Sequence, residues 1–263
     1  MGMADITVTG MAMEMDMDMT TTMVTATAMA TDITTTAMAM AEPLALLRLL
    51  QLASPALPIG AFNFSQGLEY ANEAGRVGNE QQAREWILGN AQHGLAGLDL
   101  PLLLRLHGAW LEGDEARARA LSQELLASRE SAELRAEDLH LGQSLARVLV
   151  EYGIEAARPW QRFEGATHAA LFALAAVNSR AGARDCALAY AWAWAENQAT
   201  AAVKLLPLGQ SAGQRLLESI RLQIPALVEA AAAMADEDIG GATPGALLAS
   251  CWHETQYTRL FRS

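Results

Sequence analysis

The sequence predicts an all-α fold, and three observations carry that expectation. Hydrophobic residues make up 52% of the 263-residue chain, and they are drawn from Ala and Leu, the good helix formers, rather than from the residues strands favour. From Pro43 onward the pattern runs helix, break, helix, with caps and stops in the expected places. No composition shift divides the chain after residue 43, so a single domain of about nine or ten helices is expected over 43–263. Residues 1–42 precede it as a separate tail.

The elements follow in order. Pro43 suits a first-turn position, and "LALLRLLQLA" continues with an apolar face. Ser54-Pro55 and Leu57-Pro58 stop this helix. Ser65 is placed to cap a short helix through Ala74, with Gly75 closing it. Asn79 caps the next helix, through Trp86 to about Ala96. Asp99 then precedes "LPLLLRLHGAWLEG", which ends at Gly113, and Asp114 opens "EARARALSQELLAS". A long helix spans Ser131 to Tyr152, stopped by Gly153. Arg158-Pro159 marks a joint. Helices are expected over 164–179 and 184–204, with Pro207 ending the second. Ser211 starts "AGQRLLESIRLQIPALVEAAAAMA", kinked by Pro225. "DEDIGGATP" reads as a loop, and Thr243-Pro244 opens a last helix to about Gln256.

Residues 1–42 are a different polymer. They hold eleven of the twelve methionines, eleven threonines and six acids, and no Lys or Arg. "MAMEMDMDM" alternates Met with Ala or an acid. A soft Cu(I) site, a strand with one Met face and a mis-assigned start at Met40 are alternatives. A disordered low-complexity tail is the preferred reading, because the segment has no aromatic anchor whose burial could offset the entropy of ordering. It also lacks His and Cys.

Composition excludes several function classes. The formal charge is −12, and the part beyond residue 42 still holds 24 acids against 18 bases. Nothing supplies the basic stripe that nucleic acid needs. No apolar run reaches the ~18 residues of a membrane helix, and no secretory signal is visible. A soluble, cytoplasmic protein is expected. Cys186 and Cys251 are expected as two reduced, buried thiols.

Motifs for chemistry are scarce. There is no phosphate loop and no HExxH. The histidines (His93, His107, His140, His168, His253) never pair at i,i+3 or i,i+4. Catalytic and metal-ligating residues are therefore expected to be none. One acid–base pair, Glu137 with His140 on one helix face, keeps an α-helical enzyme open as an alternative, and the Met-rich tail keeps a metal store open. Lys204 is the only lysine. It reads either as a helix-end cation favoured by the dipole or as a buried, paired residue with a function. Gln210 and Gln214 follow it in "KLLPLGQSAGQ".

Two stretches read as interaction sites. The terminal "HETQYTRLFRS" carries Tyr257, Leu260 and Phe261, which so short a tip cannot bury within its own length. Docked on a partner, each would act as an anchor worth about 2 kcal/mol or more, and Arg259 and Arg262 would add planar donors for carboxylates. The alternative is a tip folded back on its own last helix. At the Pro-rich bend, Phe62, Phe64, Ser65, Gln66 and, one turn on, Glu69 form either a partner-facing loop or a packed corner. The Ala-rich helices around 164–203 are either central elements or a face covered by a second subunit.

Four segments together resemble the UreF family of urease accessory proteins: "LLQLASPALPIGAFNFSQGLEYANEAGRV", "ELRAEDLHLGQSL", "AAVKLLPLGQSAGQRLL" and "HETQYTRLFRS", in that order. The resemblance covers about 43–263 and says nothing of residues 1–42. It implies an all-α homodimer without covalent chemistry and without a stably bound cofactor. It implies binding to a UreD/UreH-like accessory protein and recruitment of a UreG-like GTPase. Nickel and GTP would be handled by that partner complex, which loads nickel into apo-urease.

Overall fold

The structure is a computed structural model that describes Met1, residues 43–241 and residues 243–262. The expectations for the Met-rich stretch lie outside the described residues. Backbone contacts divide the chain into Met1–Leu44 and Ala45–Ser263. Of the first unit only Met1, Pro43 and Leu44 are described; the second unit holds the helical body.

Among the described residues the fold is all helix, with no strand. Helix α1 covers 43–53. A short 3-10 turn, Ala61–Asn63, leads to α2 (Leu68–Glu73). Then come α3 (Glu80–Asn90), a π-helical stretch (Ala91–Asp99) and α4 (Leu100–Leu111). Helices α5 (Glu115–Ala127) and α6 (Ala132–Glu151) follow, then a 3-10 segment, Glu155–Gln161. The chain continues through α7 (His168–Asn178), α8 (Ala183–Leu205), α9 (Gln210–Arg221) and α10 (Ile224–Ala233). A 3-10 turn at Asp236–Asp238 precedes α11 (Pro244–His253).

Helix α7 is the centre. Every residue from Ala169 to Ala176 is buried, because α4, α6 and α8 all pack on it. Small side chains make that possible, since alanine lets neighbouring backbones approach. The central-element reading of this Ala-rich region is thus what the described chain shows for α7. Around it Trp110 donates its Nε1–H to Ala170 O at 2.9 Å, and the Trp110 and Trp160 rings meet 5.3 Å apart.

Several starts and stops match the sequence. Asn79, Asp114 and Ser131 each accept a backbone N–H from the first turn of their helices, as N-caps do; Thr167 does the same for α7, which begins at His168 rather than at about 164. Gly153 closes α6 with φ 82°.

Others differ. In place of the break expected between Ala96 and Asp99, α3, the π stretch and α4 join end to end, with Asp99 and Leu100 helical. Pro101 has no N–H to give the preceding turn, and the carbonyl of Gly97 instead accepts from Gly240 N at 3.0 Å. Ser65 does not cap at the helix boundary. Helix α2 starts after Gln66 and Gly67, both at positive φ, and the buried Ser65 hydroxyl accepts Glu69 N–H at 3.3 Å from inside the corner. Pro225 does not kink one long helix, because the chain breaks at Leu222–Gln223 and Pro225 sits in the first turn of α10. Helix α11 ends at His253 rather than about Gln256, and Thr243 offers no side-chain cap. Cys186 is buried as expected, but Cys251 is exposed on the outer side of α11.

Among the described residues no helix is long and apolar enough to cross a membrane.

Candidate functional site

The C-terminal segment is fastened to the body by two carboxylates and a histidine. Gly67 sets up the arrangement. Its φ is 81°, and a Cβ there would lie 2.9 Å from both Ala246 O and Ser250 N. Without that Cβ, α2 crosses tightly on α11 and turns Glu69 towards His253. Glu69 is 7% exposed and His253 fully buried. Glu69 Oε2 lies 3.0 Å from His253 Nε2, while Glu133, in the first turn of α6, lies 2.7 Å from His253 Nδ1. Ser131 and Ser250 share a buried hydroxyl contact at 2.8 Å beside this cluster.

The same carboxylates hold the tip. Glu69 accepts the backbone N–H of Leu260 at 2.6 Å and of Phe261 at 2.8 Å. Glu133 accepts from Arg259 at 2.8 Å. Arg262 N–H donates to Asn63 O at 2.8 Å. Phe261 is buried, and Lys204 lies over its ring at 5.6 Å and over the Phe62 ring at 5.5 Å. Lys204, in the last turn of α8, is therefore a helix-end cation that grips two rings, at about 0.5–1 kcal/mol each for an exposed site.

The fold-back leaves part of the tip outside. Tyr257 is fully exposed and Leu260 is 66% exposed. On α11, Leu248 and Trp252, one turn apart, are half-exposed. Arg76 lies over the Trp252 ring at 5.2 Å. So the tip anchors through Phe261 and its backbone, and offers Tyr257 and Leu260 outward.

The bend at 54–66 forms a packed corner with one outward ring. Phe64 is buried against His140, ring centres 5.9 Å apart, and its carbonyl accepts from Asn197 at 3.2 Å. Gln66 donates to Glu137 at 2.8 Å and accepts from Trp194 at 2.9 Å and Gln198 at 3.1 Å. Its amide is thus engaged at both ends. Phe62 remains half-exposed. Gln210 and Gln214, one turn apart at the start of α9, stand exposed.

A cavity of about 200 Å³ opens between α6, α8, the π stretch and the start of α11. Arg129 is in its wall, donating to Asp138 at 2.7 Å and pairing with both oxygens of Asp99. Burial alone would weaken the hold of Arg129 on its proton, but Asp99 and Asp138 keep it well above its ordinary value. The π stretch is what brings Asp99 to this point. Burial pushes the Tyr190 phenol well up, with Asp99 and Asp138 adding to it. Burial depresses His168 to about 4, so its ring is neutral. Glu137 belongs to the cavity wall and His140 does not. Burial, then Arg262 and Arg147, lower the His140 value. The acid–base pair that the sequence suggests therefore does not converge on the cavity. Among the described residues no three His, Cys, Asp or Glu side chains gather as a metal site.

Sequence reasoning named Glu69, Lys204 and the tip but missed the residues that join them. His253 and Glu133 are 120 positions apart, and no local pattern links them.

The site is thus part of an all-helical body whose terminal segment is clipped down, with aromatic and leucine side chains left facing out. The UreF family model matches residues 77–221. A urease accessory protein UreF of Alkalilimnicola ehrlichii is 48% identical over 220 residues, covering 84% of this chain and 96% of that protein. Proteins of the same name from Azoarcus sp. and Chromohalobacter salexigens are 50% and 47% identical, each with the same two coverages. The chain belongs to the UreF family of urease accessory proteins. These relatives are named as accessory proteins and not as enzymes, and the chain is placed with them.

Proposed function

We propose that the protein is a non-enzymatic urease maturation factor. It binds a UreD/UreH-like protein and, in that complex, recruits a UreG-like GTPase that delivers nickel to apo-urease. The reading includes a cytoplasmic homodimer, with nickel and GTP as cargo and substrate of the partner complex. One observation carries it: the exposed Tyr257 and Leu260 sit on a tip fastened at both sides of them, at His253–Glu69–Glu133 and at Phe261. Fastening lowers the ordering cost that a partner would otherwise meet on docking. The family membership supplies the partners' class.

The test is co-purification. Intact protein is offered a UreD-like partner, then a UreG-like one, beside a variant truncated after Thr255 and beside Arg259→Ala. The intact protein should capture both partners. The truncated one should stay folded and lose the first partner. Undiminished capture by the truncated chain would remove the tip from the interface.

A further inference from the structure

The cluster that fastens the tip has a proton count that matters. A carboxylate only accepts, and a neutral imidazole has a single N–H. His253 faces a carboxylate at each ring nitrogen, 2.7 Å from Glu133 and 3.0 Å from Glu69. Both contacts are satisfied together when the ring carries two protons. The charges then balance. Glu69 and Glu133 supply two negatives, and the imidazolium and Arg259 supply two positives. The ring is shielded from bulk solvent, since His253 is fully buried.

We propose that His253 is a proton-operated latch for the C-terminal segment. With its second proton the ring draws Glu69 and Glu133 together, and these seat Arg259, Leu260 N–H and Phe261 N–H. Without that proton a lone pair faces one carboxylate, and the buried cluster is left with an uncompensated negative charge. An unpaired buried charge is costly. The segment 255–262 then lifts from the body. The latch is closed at the lower pH and opens as pH rises.

The carboxylates around the ring favour its second proton, and Arg259 on Glu133 opposes it in part. Helix α2 contributes Glu69, and α6 contributes Glu133. The tip contributes Arg259. On its own helix the next residue is Glu254, whose carboxylate is engaged with Ala132 N–H at 2.9 Å. Arg76 is held over Trp252, and Lys204 over Phe62 and Phe261. Imidazole is the side chain whose charge ordinarily changes nearest neutral pH. The ring is therefore the switching group. The use of the latch in assembly rests on the tip being the partner-binding segment; the latch itself is a property of the isolated chain.

The experiment uses the full chain alone. Amide exchange at Leu260 and Phe261 is followed with rising pH and corrected for intrinsic rates, while the ring nitrogens of His253 are followed by NMR. Both ring nitrogens should be protonated at the low end. Protection of the two amides should fall about tenfold or more as one proton leaves, matching loss of a hydrogen bond to a charged group. His253→Gln, which cannot donate to both sides, should show low protection throughout with unchanged far-UV circular dichroism. A singly protonated ring throughout, or protection that stays flat while the ring titrates, overturns the latch. Because no partner is present, such a failure leaves partner capture to be judged by the truncation. A truncated chain that still captures its partner would instead sink the docking reading and leave the latch standing.

Discussion

Replacing Arg129 by Met should destabilise the fold by about 3 kcal/mol. The guanidinium bridges Asp99, at the end of the π stretch, and Asp138, on α6. Those carboxylates are 8% and 4% exposed as residues. Removing one partner of a buried pair costs about 3–5 kcal/mol, because the charge left behind is uncompensated. The lower end applies here, since all three residues line the cavity and the Arg129 side chain keeps 17% of its surface exposed. At about 2–4 °C per kcal/mol for a domain of this size, the midpoint should fall by roughly 6–12 °C. Differential scanning calorimetry of the two proteins reads this directly. The companion variant carries Asp99→Asn and Asp138→Asn as well. It removes the stranded charges, and residue 138 keeps an oxygen for His168 N–H, accepted at 2.9 Å in the native chain. It should return to within about 1 kcal/mol of the native stability. A loss below about 1 kcal/mol for Arg129→Met, or a companion as unstable as the single variant, would refute the reasoning.

Gly142→Ala should cost about 2 kcal/mol or more in chemical denaturation, because its Cβ would lie 2.0 Å from Ala166 O, on backbone that cannot swing aside. His168 is held neutral by burial, its value lowered from 6.5 to about 4. The unfolded chain binds more protons in that interval, so stability is complete above the upper value and is lost as pH falls through the window. His168→Phe should flatten that acid limb in thermal melts. Arg215→Ala should leave the melting temperature unchanged, since the Arg215–Glu80 pair is solvent-exposed.

Much of the fold was legible because caps act over three or four residues. Asn79, Asp114 and Ser131 announce helices that do begin there. The π stretch was not legible. Two glycines and Asp99 before Pro101 look like a joint, and only the tertiary contact from Gly240 shows where the freed Gly97 carbonyl goes. Ser65 was legible in part: Gly67 takes the N-cap position, yet the buried Ser65 hydroxyl still accepts a first-turn N–H of α2, that of Glu69. At the site, the aromatic tip and Glu69 could be singled out by type and position. Their union could not, because Glu69, Glu133 and His253 come from three helices up to 184 residues apart. The apolar character of Phe261 alone points it towards a partner; its burial goes with backbone bonds of the tip to Glu69 and Asn63, which no local pattern shows.

The seat of Lys204 gives the chain a convenient handle. With seventeen arginines and one lysine, the sequence offers amine-directed reagents a single side chain. That amine lies over both the Phe62 and the Phe261 ring, so its labelling rate reports whether it still rests on them. Acylation there would strip the charge and loosen the grip, making one covalent mark both a gauge of the terminus and a means of prising it up.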